Sequence, residues 1–343
     1  MTDCLGPKLE KLLAGLDLDR WTDAVNEYLD RTDQPNALFN ILGRGWLGEV
    51  VGPAQLPNLL QHTVGLVEQW DAAHAPVRRH KGTPYYFLGM GYILLGDIDR
   101  GFLYMHMAFR EDQLSSGKPN PMQPAMRFVT VDATSDEQAF KDEVDEYASF
   151  IEARMQRYRA RTGGALILPG LRLKVIPERS LWDDMFHLNY ATARIRRLEA
   201  WEHVAKTTTF GVNLMAQALG DLCLVAEQWM RYRWLLDAEF FQLAVKYLHG
   251  TGYKNTADAS LQAVSKASKF PGAWGATVEE LLDGTFRDGT RALAPREADI
   301  ALAYLIRNSA AHSVKADPIL ASRFEDVESR VYAAIFGIVE HLP

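Results

Sequence analysis

Near its C-terminal end the sequence reads PREADIALAYLIRNSAAHS over residues 295–313, which places Arg307, Asn308 and His312 within six positions. A guanidinium, an amide and an imidazole supply an anion clamp, an orienting group and a proton-transfer group, a set that could serve phosphoryl chemistry such as cleavage of RNA by its own 2′-hydroxyl. That reaction requires a base for the hydroxyl, charge stabilisation on the phosphoryl oxygens and an acid for the leaving oxygen. His312 titrates nearest neutrality and can act as base or acid. Arg307 disfavours the imidazolium, which helps to keep His312 neutral, and its planar fork can hold a phosphate. Asn308 can orient either the imidazole or the substrate. The alternative for the same residues is structural: Arg307 on a helix end, Asn308 on backbone and His312 in an interface.

A helix must carry the three. Pro295 suits its first position, with Glu297 and Asp299 complementing its positive end. Ala301, Leu305, Asn308 and His312 then fall on one stripe, and Ile300, Tyr304, Arg307 and Ala311 on a second about 100° away. Both stripes begin apolar and turn polar, so the polar groups emerge where the buried seam reaches an edge. The helix ends near Ser313, and Asp317-Pro318 opens another with Leu320, Phe324, Val327, Val331, Ile335, Ile338 and Leu342 down one face. Upstream, helical runs cover about 212–236 and 238–249, and a bundle of about four helices accommodates them all.

The string Arg307-Asn308-Ser309-Ala310-Ala311-His312 resembles the R-(polar)-x-x-x-H signature of HEPN domains. It also sits where those domains carry it, at the end of the penultimate long helix. The resemblance implies a helical bundle that usually dimerises and, in many members, a metal-independent endoribonuclease of toxin–antitoxin or antiviral systems. Other members bind partners without cleaving anything. An acidic side chain from an earlier helix often completes such a site; Asp221, Glu227 and Glu239 are available and no spacing selects among them. The expected catalytic residues are Arg307, Asn308 and His312, with RNA as substrate, no cofactor and no metal. Because the reaction needs both a base and an acid while one copy of the motif supplies one histidine, and Ser309-Ala310-Ala311 permits close approach, a homodimer through the C-terminal domain is expected. A protein antitoxin or regulator is a further expected partner. The alternative function is a non-catalytic adaptor that binds a protein partner or a nucleotide.

Further back, helical periodicity continues over 8–31, 56–71 and 137–160. Residues 85–108 resemble a tetratricopeptide repeat through Tyr85, Leu88, Gly89, Tyr92, Leu95, Gly96, Gly101, Met105 and Ala108. Two antiparallel helices would join at Gly96-Asp97 and close up on Gly89, Gly101 and Ala108. Arg127–Val131 and Ala165–Ile176, the latter folded about Pro169-Gly170, read as extended and suggest a small sheet or hairpin. The expected class is therefore all-α: a repeat-like domain over 1–180 followed by a helical bundle over 181–343.

Other signals exclude rather than assign. Gly43, Gly45 and Gly48 satisfy G-x-G-x-x-G, but Gly52-Pro53 would break the required helix, so no dinucleotide cofactor is expected. Asp183, Asp184 and His187 share a helix face and lack a second ligand cluster; surface charge beside an aromatic helix is the better reading. Cys4 and Cys223 lie far apart, which argues against a disulfide scaffold or a cysteine zinc site. No leader segment is apparent, and no run approaches the length of a membrane span, so a cytoplasmic protein is expected. The net charge is −7, yet residues 151–198 hold 10 basic and 4 acidic side chains. That stretch is either a face for a phosphate backbone or a set of salt-bridged helix faces.

Overall fold

The computed structural model describes residues 18–31, 56–116, 123–132, 138–234, 237–249, 256–267, 273–289, 291–312 and 318–342. The protein is all-α. The sole β pairing among these residues is β1 (Arg287–Asp288) against β2 (Arg291–Ala292), two residues each and antiparallel, with Gly289 at φ 61° in the turn. The chain divides into two compact units, Met1–Phe128 and Val129–Pro343, a boundary well before the 180/181 expected from sequence.

In the first unit α1 (Leu18–Arg31) and α2 (Leu56–Ala73) pack together, and α2 packs on α3 (Gly82–Leu94). Trp21, Val25, Tyr28 and Leu29 are buried at helical spacing, and the Trp21 indole N–H donates to Thr63 Oγ1 at 3.0 Å. Leu9, Leu12, Leu13 and Leu16, expected on the same helical run, lie outside the described residues. α3 turns at Gly96, φ 81°, into α4 (Ile98–Ser116). The two helices touch through glycine, as the small residues require. A Cβ on Gly89 would stand 2.8 Å from the Met105 backbone nitrogen, and one on Gly101 2.9 Å from that of Ile93. Only hydrogen fits at either position.

The first unit closes with α5 (Pro124–Val129), where the sequence suggested a strand over Arg127–Val131. The helix forms because Pro124 occupies its first position, where a missing N–H costs nothing. Val131 follows at φ 55°, a strained conformation for a β-branched residue. The Arg172 guanidinium holds the turn by donating to the carbonyls of Thr130 (2.9 Å) and Val131. The second expected extended segment is also helical. α7 (Leu168–Val175) carries Pro169 in its first turn and buries Leu168, Leu171 and Val175 at spacings of three and four.

The second unit is a bundle around α10 (Thr209–Trp234), which packs on α8 (Trp182–Ala200), α14 (Pro295–His312) and α15 (Pro318–Glu340). By length and composition α10 could span a bilayer, contrary to the expectation that no run comes close, but most of it is buried inside the bundle. α6 (Gln138–Thr162) lies against α15, which explains the earlier boundary. Its Arg154 donates to the fully buried Glu328 and to Glu199, each at 2.7 Å. Tyr158 of α6 donates to Glu340 at 2.7 Å, and the same carboxylate accepts from the Leu166 backbone at 2.8 Å. Helices α9 (Glu202–Ala205), α11 (Phe240–His249), α12 (Thr256–Ala267) and α13 (Ala273–Asp283) complete the unit. α15 follows the expected apolar face, with Leu320, Phe324, Val327, Val331, Ile335 and Ile338 all buried and a break in the helix at Arg323.

Candidate active site at the end of α14

α14 begins at Pro295, and the Glu297 carboxylate accepts the Ala294 N–H at 2.8 Å, capping the helix as its sequence suggests. Asp299 does something else. It is 1% exposed and held by Arg161 and Arg330, so it belongs to the packing of three helices and not to the helix end. From Ile300 to Ile306 every residue but Tyr304 is buried. Tyr304 sits between Phe240 and Phe241 and donates to Ser265 at 3.3 Å. Arg307, Asn308 and Ser309 then become half-buried, the rim position that the two stripes require. His312 closes the helix in the main chain; its side chain, with those of Ala310 and Ala311, lies outside the described part of the structure.

Arg307 has a defined environment. Its Nε donates to Glu227 Oε2 of α10 at 3.0 Å. Glu227 is 5% exposed, and its other oxygen accepts from Arg231 Nη2 at 2.7 Å, one turn along α10. Arg231 in turn reaches Asp237 at 2.9 Å. A buried carboxylate is thus neutralised by two guanidiniums, the arrangement that makes burying it tolerable. Because Glu227 takes the Nε edge of Arg307, both Nη groups remain without a partner among the described residues. Arg307 also stands in the last turns of α14, where the helix dipole favours a cation. Cys223 packs fully buried against this turn; burial raises its thiol pKa, outweighing the opposing pull of the Arg307 charge. The Asn308 side chain has no hydrogen bond among the described residues.

Of the three acidic residues that sequence left open, only Glu227 meets Arg307. Asp221 is paired with Arg194, and Glu239 is exposed. Arg231 was not singled out from the sequence at all. The available signal was a Glu and an Arg four apart within an otherwise apolar helical run.

The remaining sequence candidates fall elsewhere. Gly43, Gly45 and Gly48 lie outside the described residues. Asp183 and His187 are exposed in the first turns of α8, whose Trp182 and Phe186 are buried. Asp184 beside them is half-buried; burial, then the Asp183 charge, pushes its carboxyl up to about 7. Among the described residues no three His, Cys, Asp or Glu side chains are grouped to hold a metal. Most of the basic stretch 151–198 is spent on partners. Arg159 pairs with Glu152, Arg194 with Asp221 and Arg196 with Glu143 and Glu146, while Arg197 stacks on Trp201 at 4.6 Å. Salt bridges and stacking occupy these four arginines.

Two clefts, of about 480 and 390 Å3, open elsewhere in the second unit, and Arg307 lines neither. Comparison with known proteins supplies no relative: no family model, no curated protein and no solved structure matches the chain.

Proposed function

We propose that the polar end of α14 is the centre of a metal-independent endoribonuclease, with Arg307, Asn308 and His312 acting on RNA. The observation that carries this reading is the Arg307–Glu227 pair. A buried carboxylate fixes one edge of the guanidinium at 3.0 Å and leaves its two terminal nitrogens for a ligand. Two parallel N–H donors match two phosphoryl oxygens, and a guanidinium whose orientation is already fixed loses little freedom on binding them. The acidic partner from an earlier helix is also what the HEPN resemblance implies.

In this scheme the 2′-oxygen attacks phosphorus and the bond to the 5′-oxygen breaks. One histidine takes the 2′-hydroxyl proton and another group returns a proton to the leaving 5′-oxygen, while Arg307 stabilises the charge on the phosphoryl oxygens. Asn308 orients the imidazole or the substrate. A two-fold axis beside the end of α14 supplies a second His312 for the acid role, so the proposed enzyme is a homodimer through its C-terminal unit. A toxin–antitoxin or antiviral setting, with a protein antitoxin as restraint, is the context that fits such an activity, and the cytoplasm the compartment.

The test is direct. RNA incubated with the pure protein in excess EDTA is cut, leaving 2′,3′-cyclic phosphate and 5′-hydroxyl ends, while DNA is untouched. Loss of activity on chelation, restored by a divalent metal, would replace this mechanism with a metal-dependent one.

One observation favours the second reading, a non-catalytic adaptor. Leu103 and Leu114 of α4 are 57% and 69% exposed, single apolar side chains that a protein partner could cover, with the exposed Arg110 between them on the same stripe. RNA left intact by a well-folded protein supports the adaptor.

A further inference from the structure

The cleft of about 390 Å3 in the second unit draws its cations from two distant parts of the sequence. Arg157 and Arg161, four apart on α6, belong to the basic stretch read from the sequence. Arg323 and Arg330, seven apart on α15, face them across the opening. The four guanidiniums are not held alike. Arg161 and Arg330 are anchored from below by the buried Asp299, and Arg330 also donates to the Leu282 carbonyl at 3.1 Å. Arg157 and Arg323 stand at the mouth, 49% and 30% exposed, and are paired with Glu325 (2.5 Å) and Asp326 (2.6 Å), which are themselves more than half exposed. Arg323 also reaches Asp283 at 3.0 Å.

We propose that this cleft binds a phosphoryl group, with Arg161 and Arg330 as a fixed floor and Glu325 and Asp326 as displaceable occupants of the mouth. Each of the four guanidiniums retains at least one nitrogen with no partner among the described residues, so donors are available without breaking the anchors on Asp299. The two mouth pairs are exposed ion pairs, which contribute little and are readily exchanged. A phosphoryl group offers several charged acceptors at once, and bidentate contact with guanidinium is stronger than a single exposed carboxylate contact. The volume is enough for a diphosphate. The ligand is the phosphate of a small molecule or one in an RNA backbone; the chemistry of recognition is common to both. This proposal does not rest on the ribonuclease reading, since Arg307 takes no part in the cleft.

The experiment is calorimetric titration of the full chain with inorganic pyrophosphate at low salt. Arg157→Gln with Arg323→Gln is expected to weaken binding about tenfold or more, because two of four cations are lost while both anchored arginines remain. Glu325→Gln with Asp326→Asn is expected to tighten it severalfold, an effect that a merely structural role for these carboxylates does not produce. No binding at about 10 mM, or the same affinity in both double variants, overturns the proposal. If the arginine variant fails to fold, the carboxylate variant decides alone: tighter binding supports the site and unchanged binding refutes it. A short 2′-O-methylated RNA identifies the source. Weaker RNA binding by the arginine variant assigns the cleft to backbone phosphates; unaltered RNA binding beside weakened pyrophosphate binding assigns it to a free phosphorylated ligand.

Discussion

Glu227 decides how Arg307 is presented. It is the one of the three candidate carboxylates that meets Arg307, and in the proposed enzyme it would orient that guanidinium rather than contact substrate. Replacing it by Gln keeps the shape but removes the charge that balances Arg307 and Arg231. We expect Glu227→Gln to lower stability by about 1–3 kcal/mol and RNA cleavage by roughly tenfold or more, read by urea titration and single-turnover cleavage on the same samples. Undiminished cleavage would mean that the pair is only structural. A second residue-scale expectation concerns Asp184, whose carboxyl is pushed from 3.8 to about 7 by burial and by Asp183. Between these values the folded state holds a proton that the unfolded chain has released, so stability falls as pH rises from about 4 to 7. Asp184→Asn removes that slope. Above pH 7 the variant should be more stable by about 1–2 kcal/mol, the full shift being discounted for partial exposure, with no gain below pH 4. A pH series of urea midpoints that stays parallel to wild type would contradict this.

Among the elements, the α3–α4 pair makes the sharpest statement, because Gly89 faces backbone atoms and not flexible side chains. Gly89→Ala places a methyl 2.8 Å from the Met105 nitrogen and 2.9 Å from the Gly101 carbonyl oxygen. The helices must separate, and the expected cost is about 1–3 kcal/mol or more, seen as a lower denaturation midpoint. An unchanged midpoint would mean the hairpin packs more loosely than described. Helices of this kind were legible in the sequence wherever a local pattern specified them: the Gly89 and Gly101 contact, the start of α14 at Pro295 and the apolar face of α15. Pro169 misled because proline ends a helix and equally opens one; only the buried spacing of Leu168, Leu171 and Val175 shows which. Partners across long sequence separations were not legible. Nothing near Arg307 points to a carboxylate eighty residues earlier, and nothing on α6 announces that Arg154 lies 174 residues from its partner Glu328.

In the whole molecule, the all-α fold carries a proposed site with one histidine per chain. A base and an acid are both needed, so two copies are expected to share a cleft. Light scattering should give a dimer of the 38.6 kDa chain, and mixing wild-type with His312→Ala subunits should lower activity more than dilution alone. A monomer that cuts RNA at full rate per chain would remove the shared site and leave the motif standing. The most direct test of the central claim is cleavage of RNA in EDTA by wild-type, Arg307→Ala and His312→Ala proteins, each checked by circular dichroism. Arg307 stands at the rim of the buried seam and is half-exposed, so its truncation should open little core volume and leave the helical signal intact. Cleavage by the wild type and none by either variant is the expected result. Wild-type rates from a well-folded His312→Ala protein would contradict it.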